Sequence, residues 1–342
     1  MSTEPFMDLY SRNGFAGPAT MLVRHHYAPD YTAVKGDYVP RRIDTAELDP
    51  ALFADPRSLP QPVLVADDVR LEAWHRQEPT PFALRNVFMD ELHFVLSGSA
   101  RLETNFGVLD LSQGDFVLIP RAVIYRLTRV EDLQLLIVAS DSRLEVKPDN
   151  PGVLNIGMHL DIPAIDQAPA PEPGEYEVLV RHGDETTSYF YAHDPVPVVA
   201  VAGPPMVQRF NLNHVQGISV PVGSLPPGRL IDDETTRTLV YYLGARPATR
   251  SPVHHNADYD EIIVYAAGPG TYGAVNVPGT VMFTPKGVIH QGPDENVPDG
   301  YVAWLLETRS PMRPTPAALA VSRLMETSQF DVHPSETTES AK

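Results

Sequence analysis

The chain has 342 residues, enough for one large or two medium-sized domains. It contains no cysteine, which excludes disulfide bonds and a cysteine-ligated metal, and we expect a cytoplasmic protein. The net charge of −18 opposes binding to nucleic acid or to an anionic membrane surface, and no apolar run is typical of a membrane segment. An anionic substrate would need a locally basic pocket. The 35 prolines and 22 glycines favour short strands and tight turns, so we predict an all-β fold.

The first half of the chain predicts an arm followed by a barrel. Residues 1–60 are irregular, and we expect an N-terminal arm that packs on a barrel or on a neighbouring subunit. Residues 61–140 carry alternating, strand-like runs such as LHFVL and FVLIP. Glu91 opens the pattern E-x6-G … G-x5-P in this part of the chain.

The second half predicts a connector, a second barrel and a tail. Residues 141–194 are rich in turns and include two strand-like runs joined at Gly183. Residues 195–310 are predicted to form the second barrel, and residues 311–342 a tail with a short helical run and a polar end.

The strongest motif lies in the second barrel. Glu261 opens a second copy of E-x6-G … G-x5-P, and five residues after its proline comes His290. The spacing resembles the metal-binding motifs of the cupin barrel, so the two copies predict a bicupin. Upstream stand His254 and His255, and the spacing favours His255. The predicted ligands are therefore His255, Glu261 and His290, a 2-His-1-carboxylate set typical of non-haem Fe(II). In the first copy Tyr125 takes the place of the last histidine, so we expect a metal-free N-terminal barrel.

Several longer stretches resemble the homogentisate 1,2-dioxygenase family. They include DELHFVLSGSARLETNFGVLDLSQGDFVLIPR, HHNADYDE, HQGPDE and LLETRSPMRPTPAALAVS. The resemblance implies an Fe(II) bicupin that assembles into a homo-oligomer, a trimer or hexamer. It also implies that His255, Glu261 and His290 bind the iron. One departure is that Val201 and Ala202 fill the positions of a tryptophan and a histidine of the family.

These observations lead to the hypothesis of a ring-cleaving dioxygenase that uses O2 on a dihydroxylated aromatic such as homogentisate, gentisate or a hydroquinone. His214, Tyr259 and Tyr272 are the candidate acid/base residues, and Lys286 or Arg250 is the candidate partner of a substrate carboxylate. Two alternatives remain. One is another cupin metalloenzyme, an isomerase, hydrolase or C–C lyase, and the other is a binding bicupin without catalytic activity.

Overall fold

The protein is represented by a computed structural model that describes residues 5–27, 29, 31–149, 153–166, 171–216, 227–244, 250–268, 273, 275–294, 297 and 299–337. Strands dominate it. The α-helices are α1 (Ile156–His159), α2 (Pro316–Ala320) and α3 (Pro334–Thr337). None of the helices in the described part of the chain is long and apolar enough to span a membrane.

The strands fall into two groups along the chain. The first group is β1 (Phe6–Ser11), β2 (Ala19–Arg24), β3 (Arg41–Asp44), β4 (Gln61–Val65), β5 (Val69–Arg76), β6 (Ala83–Asn86), β7 (Asp90–Thr104), β8 (Gly107–Ser112), β9 (Asp115–Ile119), β10 (Tyr125–Ser140) and β11 (Leu144–Val146). The second group is β12 (Tyr176–His182), β13 (Glu185–Tyr191), β14 (Gln208–Asn211), β15 (Gly228–Asp233), β16 (Thr238–Gly244), β17 (His254–Asn256), β18 (Asp260–Ala267), β19 (Thr280–Thr284), β20 (Val302–Thr308), β21 (Arg313–Pro314) and β22 (Ser322–Leu324).

These strands build two large sheets and one small one. An 11-stranded sheet forms the N-terminal barrel around β5, β7 and β10, and an 8-stranded sheet forms the C-terminal barrel around β16, β18, β19 and β20. The small sheet has the order β17-β1-β2. The predicted all-β fold is confirmed.

The strand pairings do not follow the predicted domain boundaries. β14, which we expected in the second barrel, pairs with β9 of the first, and β3 of the arm pairs with β19 of the second. The predicted strand pair, β12 and β13, extends the N-terminal barrel sheet through β6. Each barrel thus uses segments from elsewhere in the chain to cover sheet edges that would otherwise expose unpaired backbone groups.

The barrels share a hydrophobic core. Trp304 packs edge-on against Phe94 and Phe116, with ring centroids 5.7 and 5.5 Å apart, and all three are buried. In β18, Ile262 and Val264 point into this shared core, so Glu261 and the side chains that alternate with them point into the C-terminal barrel. This double burial explains why the strand reads as an almost continuous apolar run.

The two barrels repeat the same turn before the motif strand. Asn86 Oδ1 accepts hydrogen bonds from the backbone of Phe88 and Met89, and Asn256 Oδ1 accepts them from Asp258 and Tyr259. The aspartate four residues after each asparagine, Asp90 or Asp260, likewise accepts a hydrogen bond from the backbone N–H of the residue after the motif proline, Arg121 or Lys286. The duplication seen in the sequence therefore extends to individual hydrogen bonds.

Candidate metal centre

Three side chains meet inside the C-terminal barrel. His254 from β17, Glu261 from β18 and His290 each offer one ligand atom, and these atoms all lie within 4.8 Å of one another. Glu261 and His290 are 5% and 4% exposed, and His254 is half-buried. Ligand atoms bound to one cation at about 2.0–2.2 Å lie within about 4.4 Å of one another, so only a small adjustment separates this cluster from a coordination site.

The structure brings His254, and not the predicted His255, together with Glu261 and His290. The six-residue spacing that favours His255 places it on the same face as Glu261 only in one continuous strand, but β17 and β18 are separated by the Asn256 turn. The turn shifts the alternation, so that His255 faces the N-terminal arm. Its Nδ1 lies 2.9 Å from Asp8 Oδ1, and its ring packs edge-on against Tyr10.

Backbone contacts fix the two histidines of the cluster. His254 and His290 exchange two backbone N–H···O=C hydrogen bonds, both 2.9 Å long. His254 Nδ1 lies 2.8 Å from the carbonyl oxygen of Pro252, and His290 Nδ1 lies 3.0 Å from that of Val288. Because a carbonyl only accepts, each Nδ1 carries the proton and each Nε2 is left for the site.

The charges of the cluster are set by burial and by its own members. Burial, together with the positive charge of His290, lowers the pKa of His254 to about 4. Burial by itself would raise the pKa of Glu261, but the charge of His290 and its hydrogen bond, 3.2 Å long, outweigh it and lower that pKa. Burial would lower the pKa of His290, and Glu261 reverses this and raises it. A cation that binds here therefore displaces the proton of His290.

A second carboxyl group lies beside the cluster. Glu307 of β20 stands opposite Glu261 in the strand register, and Asn256 Nδ2 donates a 3.0 Å hydrogen bond to its Oε1. Burial and the charge of Glu261 raise the pKa of Glu307 well above its usual value. Both effects favour the neutral form of Glu307, whereas the effects on Glu261 favour its charged form.

A cavity of about 240 Å³ opens beside the three residues. One part of its wall comes from the barrel and includes Ile263, Met282 and Leu305. Another part comes from the N-terminal arm, which contributes Leu9 and Phe15, among others. The sequence offered no signal for the arm residues, because they lie far along the chain from the motif.

The predicted acid/base residues are found elsewhere or lie outside the described residues. His214 is exposed on the N-terminal barrel side, where its ring stacks on His159 at 4.5 Å. The hydroxyl oxygen of Tyr259 lies 2.6 Å from Thr236 O and 3.0 Å from Asn13 Oδ1, so Tyr259 contacts the arm. Tyr272 lies outside the residues that the structure describes. Neither His214 nor Tyr259 is among the described residues of the cavity wall.

The two predicted substrate-binding cations bind backbone carbonyl groups. The Lys286 ammonium donates to the carbonyls of Asp258 and Arg309. The Arg250 guanidinium donates to those of Gly292 and Ser328, at 2.8 and 2.7 Å. Both side chains therefore stabilise loops around the barrel.

The equivalent position of the N-terminal barrel is filled by side chains. The Tyr125 hydroxyl donates to Glu91 Oε2 at 2.7 Å, His93 Nε2 lies 3.1 Å from the same oxygen, and Asn86 donates to Oε1 at 2.9 Å. Arg181 forms a buried ion pair with Glu72 beside them. Hydrogen bonds within the protein thus satisfy Glu91, whereas its counterpart in the second barrel, Glu261, faces the cavity.

No protein-family model matches the chain. A protein of Saccharolobus solfataricus that carries the provisional name of a dioxygenase is 24% identical over 203 residues, which are 55% of this chain and 52% of the relative. The chain thus spans about half the length of the curated relative that it matches.

Two solved structures share a distant likeness with the chain. A mutant of Bacillus subtilis oxalate decarboxylase is 15% identical, with a TM-score of 0.40 over 84% of this chain and 81% of that one. A cupin 2 conserved barrel domain protein of Leptotrichia buccalis is 10% identical, with a TM-score of 0.40 over 78% of this chain and 95% of that one. At this distance neither likeness bears on the chemistry, which depends on the residues of the cavity.

Proposed function

We propose that this protein is a non-haem Fe(II) dioxygenase that cleaves the ring of a dihydroxylated aromatic. The observation that carries the proposal is the cluster of His254, Glu261 and His290 at the wall of a cavity. Two imidazoles and one carboxylate are the donor set that suits Fe(II) and leaves part of its coordination sphere open. Iron held there would supply a Lewis-acidic centre at which O2 and a ring hydroxyl meet.

The residues of the chain prepare this centre before substrate arrives. The carbonyl groups of Pro252 and Val288 hold the two imidazoles in the tautomer that presents Nε2. Glu261 supplies the negative charge, and burial favours the neutral form of Glu307 beside it. The aliphatic side chains of the wall lower the local polarity, which strengthens the electrostatic interactions beside them.

The overall reaction balances without a further reductant. One C–C bond of the ring breaks, and both atoms of one O2 are added to the two carbons that it joined. The electrons that reduce O2 come from the ring, which is oxidised to an open-chain product. The provisional name of the Saccharolobus relative supports the same reaction class over the half of that protein that aligns.

The test is anaerobic reconstitution with Fe(II), followed by O2 uptake and mass spectrometry across ortho- and para-dihydroxybenzenes. We expect one O2 consumed per ring and a product heavier by both oxygen atoms. His290→Ala should abolish both, and His214→Ala, which alters an exposed histidine, serves as the matched control.

Other outcomes identify the alternatives. Turnover without O2 uptake, on an enol or diketone substrate, would indicate an isomerase, hydrolase or C–C lyase instead. Metal binding without any turnover would indicate a binding bicupin. The homo-oligomer implied by the family resemblance stays a prediction, which analytical ultracentrifugation can test.

A further inference from the structure

The described wall of the cavity is mostly apolar, with Ser11, Ser251 and Asn256 among its few polar side chains outside the His–Glu–His cluster, and this composition restricts the substrate. We propose that the substrate is a neutral dihydroxylated ring with at most a small alkyl substituent, and that carboxylated rings such as homogentisate are excluded. The inference rests on the proposed function for the reaction, but it concerns which ring the cavity accepts.

The barrel side of the wall consists of aliphatic side chains. Ile263 follows Glu261 by two residues on the inward face of β18, Met282 lies on the neighbouring strand β19, and Leu305 lies on β20. A substrate whose hydroxyl groups point to the cluster therefore places its substituents against hydrocarbon. This arrangement favours alkyl groups by the hydrophobic effect.

The arm completes the wall in a fixed geometry. Phe15 lies edge-on to Tyr241, with ring centroids 5.4 Å apart, and Leu9 belongs to β1, which pairs in parallel with β17. Gly14 has φ +58°, and a Cβ at this position would lie 2.5 Å from Glu307 Oε2, so glycine is needed for this close approach. The apolar side chains of the arm are thus held over the cavity before a ligand binds.

Among the residues that the structure describes at the cavity wall, none offers a cationic side chain, so a substrate carboxylate would lose its hydration there without gaining a cationic partner. Lys286 and Arg250, the cations predicted for this role, donate to backbone carbonyls. Burial of an unpaired carboxylate is strongly unfavourable. The wall therefore discriminates by charge as well as by shape.

The size of the cavity agrees with a single ring. An apolar cavity of roughly 150 Å³ accommodates benzene, and the cavity beside the cluster measures about 240 Å³. One ring with its two hydroxyl groups and a methyl or ethyl group fits this volume.

The experiment compares methylhydroquinone with homogentisate, which differ only in a methyl group against a carboxymethyl group. Binding to the full-length, Fe(II)-loaded protein is measured by anaerobic calorimetry, so that affinity is obtained independently of turnover. We expect methylhydroquinone to bind about 100-fold more tightly, which corresponds to about 2.8 kcal/mol. Because the experiment uses the whole chain, the measured affinities also include any effect of the cation Arg246, which lies outside the described residues.

The outcomes separate the two proposals. Tighter binding of methylhydroquinone without O2 uptake would support the substrate class and contradict the ring-cleaving reaction. Equal or tighter binding of homogentisate, or binding of neither compound, would overturn the substrate class, whatever the O2 uptake.

A pair of variants tests the role of the wall directly. Leu9→Arg places a cation on the arm side of the cavity, and we expect it to improve homogentisate affinity by about 10-fold, or about 1.4 kcal/mol. Met21→Arg is the matched control, because Met21 pairs with Leu9 across β1 and β2 but lies on the exposed strand outside the cavity wall. If the two variants leave homogentisate binding equally unchanged, the charge of the wall does not set the selectivity.

Discussion

Alanine substitution of His254 and, separately, of its neighbour His255 is the sharpest test of the proposed metal centre. His254→Ala removes a ligand of the cluster, whereas His255→Ala removes a side chain that faces the arm. A residue that supports a metal ligand typically contributes roughly 10–100-fold to metal affinity, so loss of a ligand itself should exceed about 100-fold.

The magnitude for His255 follows from its contacts. Its Nδ1 forms a 2.9 Å hydrogen bond with buried Asp8, and its ring packs on Tyr10. Loss of a buried hydrogen bond to a charged group costs roughly 1.5–3 kcal/mol. Asp8 keeps its ion pair with Arg24, which should hold the cost to the lower end. We therefore expect His255→Ala to lower stability and to leave iron affinity within about 10-fold, the lower end of the range for supporting residues.

The assay measures two quantities on each variant. Competitive titration with a chelator gives the Fe(II) affinity, and thermal unfolding of the metal-free protein gives the stability. We expect opposite results for the two variants. His254→Ala should lose Fe(II) affinity, and His255→Ala should lower the unfolding temperature of the metal-free protein. If His255→Ala loses the metal and His254→Ala keeps it, the assignment of the cluster is wrong.

Three further predictions concern the repeated turns, Glu91 and His214. Asn256→Ala and Asn86→Ala each leave two backbone N–H groups without an acceptor, so each should lower the free energy of unfolding by about 2–4 kcal/mol, measured with urea. Only Asn256→Ala should also weaken iron binding. Burial would raise the pKa of Glu91, but the hydrogen bond and charge of His93 hold it at about 2. The charged form of Glu91 should thus contribute about 3 kcal/mol to the free energy of unfolding above pH 4.5, and this contribution is lost as the pH falls towards 2. Glu91→Gln should therefore flatten the pH dependence of the free energy of unfolding between these two pH values. His214→Ala should leave kcat and its pH profile unchanged, and a shifted profile would restore His214 as an acid/base candidate.

The spacing in the sequence was enough to predict the repeated barrel and two members of the cluster. Spacing of glycine, proline, glutamate and histidine reports local turns and strand lengths, so Glu261 and His290 were found from it. The third member was found only from strand pairing. Aligning the two Asn-x4-Glu segments matches His254 with Leu84, and in the structure each of these residues pairs with the residue at the end of its motif, His290 or Tyr125.

The three-dimensional structure was needed to show which faces the other residues present. The turn at Asn256 separates β17 from β18, so spacing along the chain could not choose between His254 and His255. The arm reaches the cavity through parallel pairing of β1 with β17, in which Leu9 and His254 are 245 residues apart in the sequence. Local patterns carry no information about such distant contacts, because the burial of a whole barrel and not a local preference determines them. The apolar part of the cavity wall therefore follows from the way the chain closes on itself.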